Sequence, residues 1–308
     1  MIRFVLIRLL QAVPALLGVS FVAFVLVQAS GDMTYVLLPQ QATEVQRAEF
    51  RRIYGLDQPI PVQYVRYLSQ LGQGDFGRSF VYGRPAMEVV LDRFPATFQL
   101  TVVAMVIGLG VAIPAGVLSA VRRNSLGDRL LTGTVLLAQA MPTFWIGMLL
   151  ILVFAVQFQI FPASGRGTPA HLVLPALALS TWPLALTARL TRSGMLDALG
   201  QEYVLTARAK GVRETKVAWG HALRNALLPI VTIIGINFGG MLGGAVLTET
   251  VFAWPGIGTL VQAAILARDY PVVLAALIFV ATLFVFISVG VDILYGFLDP
   301  RIRTARGH

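Results

Sequence analysis

Residues 202–211 read Glu202-Tyr203-Val204-Leu205-Thr206-Ala207-Arg208-Ala209-Lys210-Gly211, and His221-Ala222-Leu223-Arg224-Asn225 follows at 221–225. This polar, basic island stands between apolar runs, and it offers a soluble partner a place to bind and push. It has no outfit for covalent chemistry. No Gly-x-x-x-x-Gly-Lys-Ser/Thr phosphate loop occurs anywhere in the chain, so ATP is not expected to bind to it. His-Glu-x-x-His and Gly-x-Ser-x-Gly are both absent. The histidines His171, His221 and His308 are scattered and do not describe a metal site, and Cys 0 excludes thiolate ligands, disulfides and cysteine catalysis. The chain therefore reads as a non-enzymatic moving part. Its energy must come from a partner ATPase or from an ion gradient.

The elements that must position the island are membrane spans. Of 308 residues, 56% are hydrophobic and 13% charged, against about 25% charged in soluble domains. Gly and Pro are plentiful, yet the apolar runs continue through them, as transmembrane helices allow. A crossing needs about 20 apolar residues. Runs of that kind cover residues 9–29, 94–121, 130–165, 167–188, 225–248 and 270–291, which makes an all-α membrane protein of six transmembrane helices. A seventh run, 250–267, is interrupted by Trp254-Pro255-Gly256-Ile257-Gly258 and reads as a loop or half-inserted hairpin.

The net charge of +9 sorts by membrane side and does not call for nucleic acid. With six spans and a cytoplasmic N-terminus, the cytoplasmic side holds Arg3, Arg8, Arg122, Arg123, Arg129, Arg189, Arg192, Arg208, Lys210, Arg213, Lys216, Arg224, Arg301, Arg303 and Arg306. The short outer loops hold Arg166 and Arg268. Both termini are then cytoplasmic. Arg3 and Arg8 ahead of an apolar run also suit a signal peptide, but the run has span length and no small-x-small site follows cleanly near Ala29-Ser30, so an uncleaved first span is expected.

Two polar segments remain. In the outer segment, 31–93, residues 44–54 have helical spacing with Val45, Phe50 and Ile53 near one face and Arg47, Arg51 and Arg52 elsewhere. Residues 61–71 suit a second short helix, and 72–77 a loop. This segment is either a docking cap or a structural lid. In the inner segment, 190–225, Leu196, Leu199, Tyr203 and Ala207 recur on one helical face, Gly211 is a helix stop, and 214–225 leads helically into the fifth span. The inner segment is either a lever for a partner or an amphipathic helix in the headgroup layer. Gly235, Gly239, Gly240, Gly243 and Gly244 in the fifth span suit close helix packing.

Glu202-Tyr203-Val204, Ala207-Arg208-Ala209-Lys210-Gly211 and His221-x-Leu223-Arg224-Asn225-Ala226-Leu227-Leu228-Pro229 resemble the EAA loop of ABC-transporter permeases, in the form of the dipeptide/oligopeptide (nickel) permease family, first membrane subunit. Two departures from the general pattern favour this peptide branch: His221-Ala222-Leu223-Arg224 replaces the Ile-x-Leu-Pro ending, and Leu205 stands six residues before Gly211. Tyr54-Gly55-Leu56-Asp57-Gln58-Pro59, Gly74-Asp75-Phe76-Gly77-Arg78-Ser79, Met141-Pro142-Thr143-Phe144-Trp145, Glu249-Thr250-Val251-Phe252, Trp254-Pro255-Gly256-Ile257-Gly258, Arg268-Asp269-Tyr270-Pro271 and Asp299-Pro300-Arg301 are similar to the same family in matching order.

The resemblance implies a type I ABC importer permease fold in the bacterial inner membrane, with residues 1–308 a single permease domain. It implies a second homologous permease subunit, two ATPase subunits that carry ATP and Mg, and a periplasmic or lipid-anchored substrate-binding protein. No cofactor is implied on this chain. Glu202, Tyr203, Ala207, Arg208, Lys210, Gly211, His221, Arg224 and Asn225 would couple it to the ATPase. Asp57, Asp75, Glu249, Trp254, Asp269 and Tyr270 would form a binding-protein or gate face. The rival is an ion-gradient-driven secondary transporter, for which Asp292 near the inner end of the last span is the acid to examine.

Overall fold

The computed structural model describes residues 2–29, 34, 38, 41–55 and 57–298. Among them there is no β-strand, only an isolated bridge between Arg78 and Pro85. The helices are α1 Ile2–Ala29, α2 Glu44–Tyr54, α3 Ile60–Gly72, α4 Ala86–Val121, α5 Leu126–Ala140, α6 Thr143–Leu150, α7 Ala170–Leu199, α8 Glu202–Ala209, α9 Leu223–Gly244, α10 Val246–Val251, α11 Ile257–Leu266 and α12 Tyr270–Leu298. A π-helical turn, Ile151–Gln157, continues α6, and another, Val217–Ala222, leads into α9.

Among the described residues, four stretches are long and apolar enough to cross a membrane: Leu10–Gln28, Ala86–Val121, Ala170–Leu199 and Tyr270–Val291. Two bent helix pairs, Leu126–Ala140 with Thr143–Gln157 and Glu214–Leu227 with Ile230–Gly243, raise the number to six if each pair is one span. The run read as one span over residues 130–165 is bent: its two halves meet at 105°. The cause is local. Met141 precedes Pro142 and adopts extended backbone, φ −91° and ψ 133°, because the proline ring disfavours helix at the preceding residue. The 250–267 run does not reach span length; it holds the end of α10, a turn and the ten-residue α11.

The chain forms two compact units, each described on its own. One runs through Pro95 and includes Thr259–Thr282; the other comprises Ala96–Gly258 and the chain from Leu283 onward. In the first unit, α2 is capped by a reciprocal Thr43–Gln46 box and stopped by Gly55 in the left-handed region. Helix α3 packs on α1 through Tyr64, whose ring meets Phe21 and Phe24, and through Tyr67, which stacks on Phe24. The expected amphipathic face of α2 is shifted: Phe50 is half-buried and Arg52 exposed, as expected, but the rest of the face differs. Val45 and Ile53 are exposed, while Arg47 is buried and donates to the carbonyl of Thr34; its charge is served by fixed acceptors, as a buried cation requires.

In the second unit, α4, α7 and α9 pack around Leu100, Met105, Leu179, Met241 and Trp254. A second core, of mostly small side chains, joins Val117 and Ala120 of α4 to Met195 and Ala198 of α7 and to Ala218, Ala222 and Ala226 at the start of α9. The packing role expected of the fifth-span glycines holds for Gly235 and Gly239. A Cβ would stand 1.9 Å from Val291 at Gly235 and 2.7 Å from Phe284 at Gly239.

Candidate functional site

Helix α7 ends at Leu199, Gly200 and Gln201 redirect the chain, and α8 follows. That break cancels the stripe expected through Leu196, Leu199, Tyr203 and Ala207. Val204 is the α8 residue that is fully buried, while Tyr203 is exposed. A periodicity count assumes one continuous helix, and the kink at Gly200 resets the phase. Gly211 does end the helix: its φ is +75°, its N–H donates to the carbonyl of Arg208, and the N–H of Val212 donates to that of Ala207. Glycine takes this left-handed backbone without the Cβ penalty.

Arg208 and Glu214 clamp the turn. Nε donates to Oε1 at 2.7 Å and Nη2 to Oε2 at 3.1 Å, the bidentate fork that guanidinium and carboxylate favour. The hydrogen bond from Arg208 holds the Glu214 carboxyl below its usual range, and the same bond raises Arg208. Glu202, Lys210, His221, Arg224 and Asn225 are exposed and make no side-chain hydrogen bond or ion pair among the described residues. Ala207 is half-buried. Beside these charges Leu205 and Trp219 are exposed. Neither stood among the sequence candidates, although a large apolar side chain inside a polar segment was the available signal. An anchored helix with a free charged face and exposed apolar side chains is equipped to bind another protein.

The opposite end of α9 differs. Glu249 is fully buried. The Thr97 hydroxyl donates to its Oε1 at 2.6 Å, and the Gly258 N–H to its Oε2 at 2.7 Å. Ile257 N–H donates to Thr97 Oγ1 at 2.8 Å, and Trp254 Nε1–H to the carbonyl of Ala96 at 2.9 Å. Gly256 and Gly258 are required here. A Cβ would lie 2.1 Å from Glu249 Oε1 at Gly256 and 2.5 Å from Val246 Cα at Gly258. Arg166 lies 5.5 Å over the Trp254 ring and donates to Gln99.

In the first unit, Asp269 is buried and accepts from the Ser79 hydroxyl and from the backbone N–H groups of Phe80 at 3.1 Å and Val81 at 3.3 Å. Tyr270 is buried with Ala23, Val27 and Leu274. Of the six residues assigned to a binding-protein or gate face, Glu249, Trp254, Asp269 and Tyr270 are therefore interior, and they hold their units together from within. Asp57 and Asp75 are exposed, and Asp75 accepts from Gly77 N–H at 2.8 Å. The side chain of Asp292 lies outside the described residues, as does Arg301.

A further buried acid was not singled out from sequence. Asp128, in the first turn of α5, receives Nε and Nη2 of Arg192 at 2.9 Å each, the Asn124 N–H at 2.9 Å and the Ser119 hydroxyl. It ties the α4–α5 connection to α7, the helix that leads into α8.

Residues 112–304 match the family described as binding-protein-dependent transport system inner membrane component, and residues 1–101 match its companion, the membrane component, N-terminal. The chain belongs to the binding-protein-dependent transport system inner membrane component family. Among relatives of this family, the dipeptide transport system permease protein DppB of Escherichia coli strain K12 is 39% identical over 98% of this chain and 99% of its own length. The oligopeptide transport system permease protein AppB of Bacillus subtilis strain 168 is 40% identical over 98% and 100%. The glutathione transport system permease protein GsiC of Salmonella paratyphi A is 40% identical over 98% and 99%. The fold is similar to a chain of the MetNI methionine ABC transporter in an inward-facing conformation, with TM-score 0.59 and 20% identity over 69% of this chain and 97% of that one. As a member of the inner membrane component family, the chain is a transmembrane permease subunit of an ABC importer. The ion-gradient alternative is not favoured.

Proposed function

We propose that this chain is the first of two homologous permease subunits of an ATP-driven peptide importer in the bacterial cytoplasmic membrane. It forms one domain over residues 1–308, with six spans and both termini in the cytoplasm. Two ATPase subunits, carrying ATP and Mg, dock from the cytoplasm, and a binding protein delivers dipeptides or oligopeptides from outside. The observation that carries the peptide assignment is the identity of 39–40% to DppB and AppB over nearly the whole chain.

The residues support a mechanical role. The partner ATPase receives α8 through Tyr203, Leu205 and the free charges of Glu202, Lys210 and Arg224. Val204 and the Arg208–Glu214 clamp make α8 move as a body with its neighbours. The small-residue core that joins Ala218 and Ala222 to Val117 and Met195 then passes that motion to the ends of α4 and α7. Interlocked small side chains leave little slack, so displacement is transmitted and not absorbed. This chain supplies the path and the coupling, and bonds are broken only at the partner.

The test is ATP-dependent peptide uptake by the assembled transporter in vesicles. Ala207→Asp is the sharper variant, because Gly211→Glu also strains a left-handed backbone. Ala207→Asp should abolish uptake and stimulation of the ATPase with the complex still assembled and inserted. Unchanged uptake and stimulation would remove the coupling assignment. Uptake that is driven by an ion gradient without ATP and lost in Asp292→Asn would establish the rival mechanism.

A further inference from the structure

A cavity of about 360 Å³ lies between α4, α5 and α7. Its polar wall includes Arg189, Arg192 and Ser193, and its apolar wall includes Leu131, Val135 and Leu136. Arg189 is exposed and has no ion pair or hydrogen bond among the described residues. Arg192 gives Nε and Nη2 to Asp128, which leaves Nη1 unused. Charge at this end is one-sided: Arg122, Arg123, Arg129, Arg189 and Arg192 stand against Asp128 and Asp197 within residues 119–132 and 188–199. Along α5, Leu130, Leu136 and Leu137 are exposed, so an uncovered apolar strip runs away from the cationic end.

We propose that this cavity is a headgroup site for an anionic phospholipid of the cytoplasmic leaflet. The phosphodiester pairs with Arg189 and the free Nη1 of Arg192, the Ser193 hydroxyl donates to a second phosphate oxygen, and the acyl chains lie along α5. Guanidinium against phosphate is the charge-assisted pairing that a basic pocket between membrane helices favours. A free anion would use the arginines but gain nothing from the leucine strip. The lipid lies beside the Asp128–Arg192 tie and bridges α5 to the helix that leads into α8. The cytoplasmic placement rests on the six-span reading proposed above; occupancy of the cavity does not.

The experiment is lipid retention by the complete purified transporter, without nucleotide or peptide, after delipidation and exchange into equal phosphatidylglycerol and phosphatidylcholine, read by native mass spectrometry. Because no transport step is read, its failure is distinct from failure of the importer assignment. Wild type should retain phosphatidylglycerol in preference to phosphatidylcholine. Arg189→Gln should cut that preference about fivefold, the loss of one cation near an anionic headgroup, and Arg189→Lys should keep most of it. Leu136→Gln should weaken lipid retention, while inorganic phosphate should fail to displace the lipid. Four outcomes would each overturn the proposal: no preference in wild type, equal preference in Arg189→Gln, displacement by millimolar phosphate, or a cysteine at position 189 that cross-links to the second permease with no lipid bound.

Discussion

At one end of α9 the Glu249 carboxylate is fully buried and takes hydrogen bonds from Thr97 and Gly258; at the other, Glu202, Lys210, His221 and Arg224 are exposed and unpaired among the described residues. Similar residue types do opposite work there. A buried carboxylate is tolerable only when donors surround it, so it fixes the α10–α11 turn against α4. Exposed charges contribute little to stability and stay available to a partner. Stability should therefore be concentrated at the Glu249 end and communication at the α8 end.

That contrast can be broken by mutation. The largest effect on stability is expected from Glu249→Ala, which strands the Thr97 hydroxyl and the Gly258 N–H. At roughly 1–3 kcal/mol per orphaned buried donor, the loss is about 3 kcal/mol or more. Thermal unfolding of the detergent-solubilised protein should show it, whereas Glu202→Ala should stay within about 0.5 kcal/mol of wild type. Equal losses in the two variants would end the contrast.

Asp128→Asn should cost somewhat less, about 2 kcal/mol. Breaking a buried pair costs about 3–5 kcal/mol, but Arg192 keeps 30% of its side chain exposed and recovers solvent. The same unfolding assay checks this, and a shift as large as that of Glu249→Ala would mean that Arg192 is held dry. Trp254→Phe removes one indole donor from the Ala96 carbonyl while keeping most of the packing; a loss of about 1 kcal/mol is expected.

The smallest effect tests the exposed end. Arg208 depresses the Glu214 pKa, so the clamp's contribution is complete above the ordinary glutamate value and is lost as pH falls through the lower folded value. Amide exchange at residues 209–213, corrected for intrinsic rates, should show constant protection from pH 8 to pH 5, by this sign, and weakened protection in stronger acid. Glu214→Gln should abolish the pH dependence. A change centred near neutral pH would implicate another group.

Much of this was legible in the chain. Helix α2 has the expected bounds, the Gly211 stop is where glycine chemistry puts it, and the 250–267 run is interrupted by a turn between α10 and α11. These features depend on local backbone preference and hydropathy, which a linear reading carries. The burial of Arg47 depends on how α2 meets the rest of its unit, and a linear reading does not carry it; the phase break at Gly200 and the 105° bend at Met141-Pro142 are local, but a hydropathy run averages over both. The exposure of Leu205 and Trp219 is a tertiary fact, although their apolar type is plain in the sequence.

By itself, the amino-acid sequence determined the apolar runs, the polar segment of residues 190–225 between two of them, and the absence of a phosphate loop. Those are properties of composition and near-neighbour spacing, whereas the family rests on the resemblance of its motifs and on the family match. The tertiary structure alone decided which acids are staples and which charges are free. The hydroxyl that satisfies Glu249 lies 152 residues away along the chain, the guanidinium that satisfies Asp128 lies 64 residues away, and the hydroxyl that meets Asp269 lies 190 residues away. Desolvation is set by packing, so a carboxylate's role follows from the donors that folding brings to it.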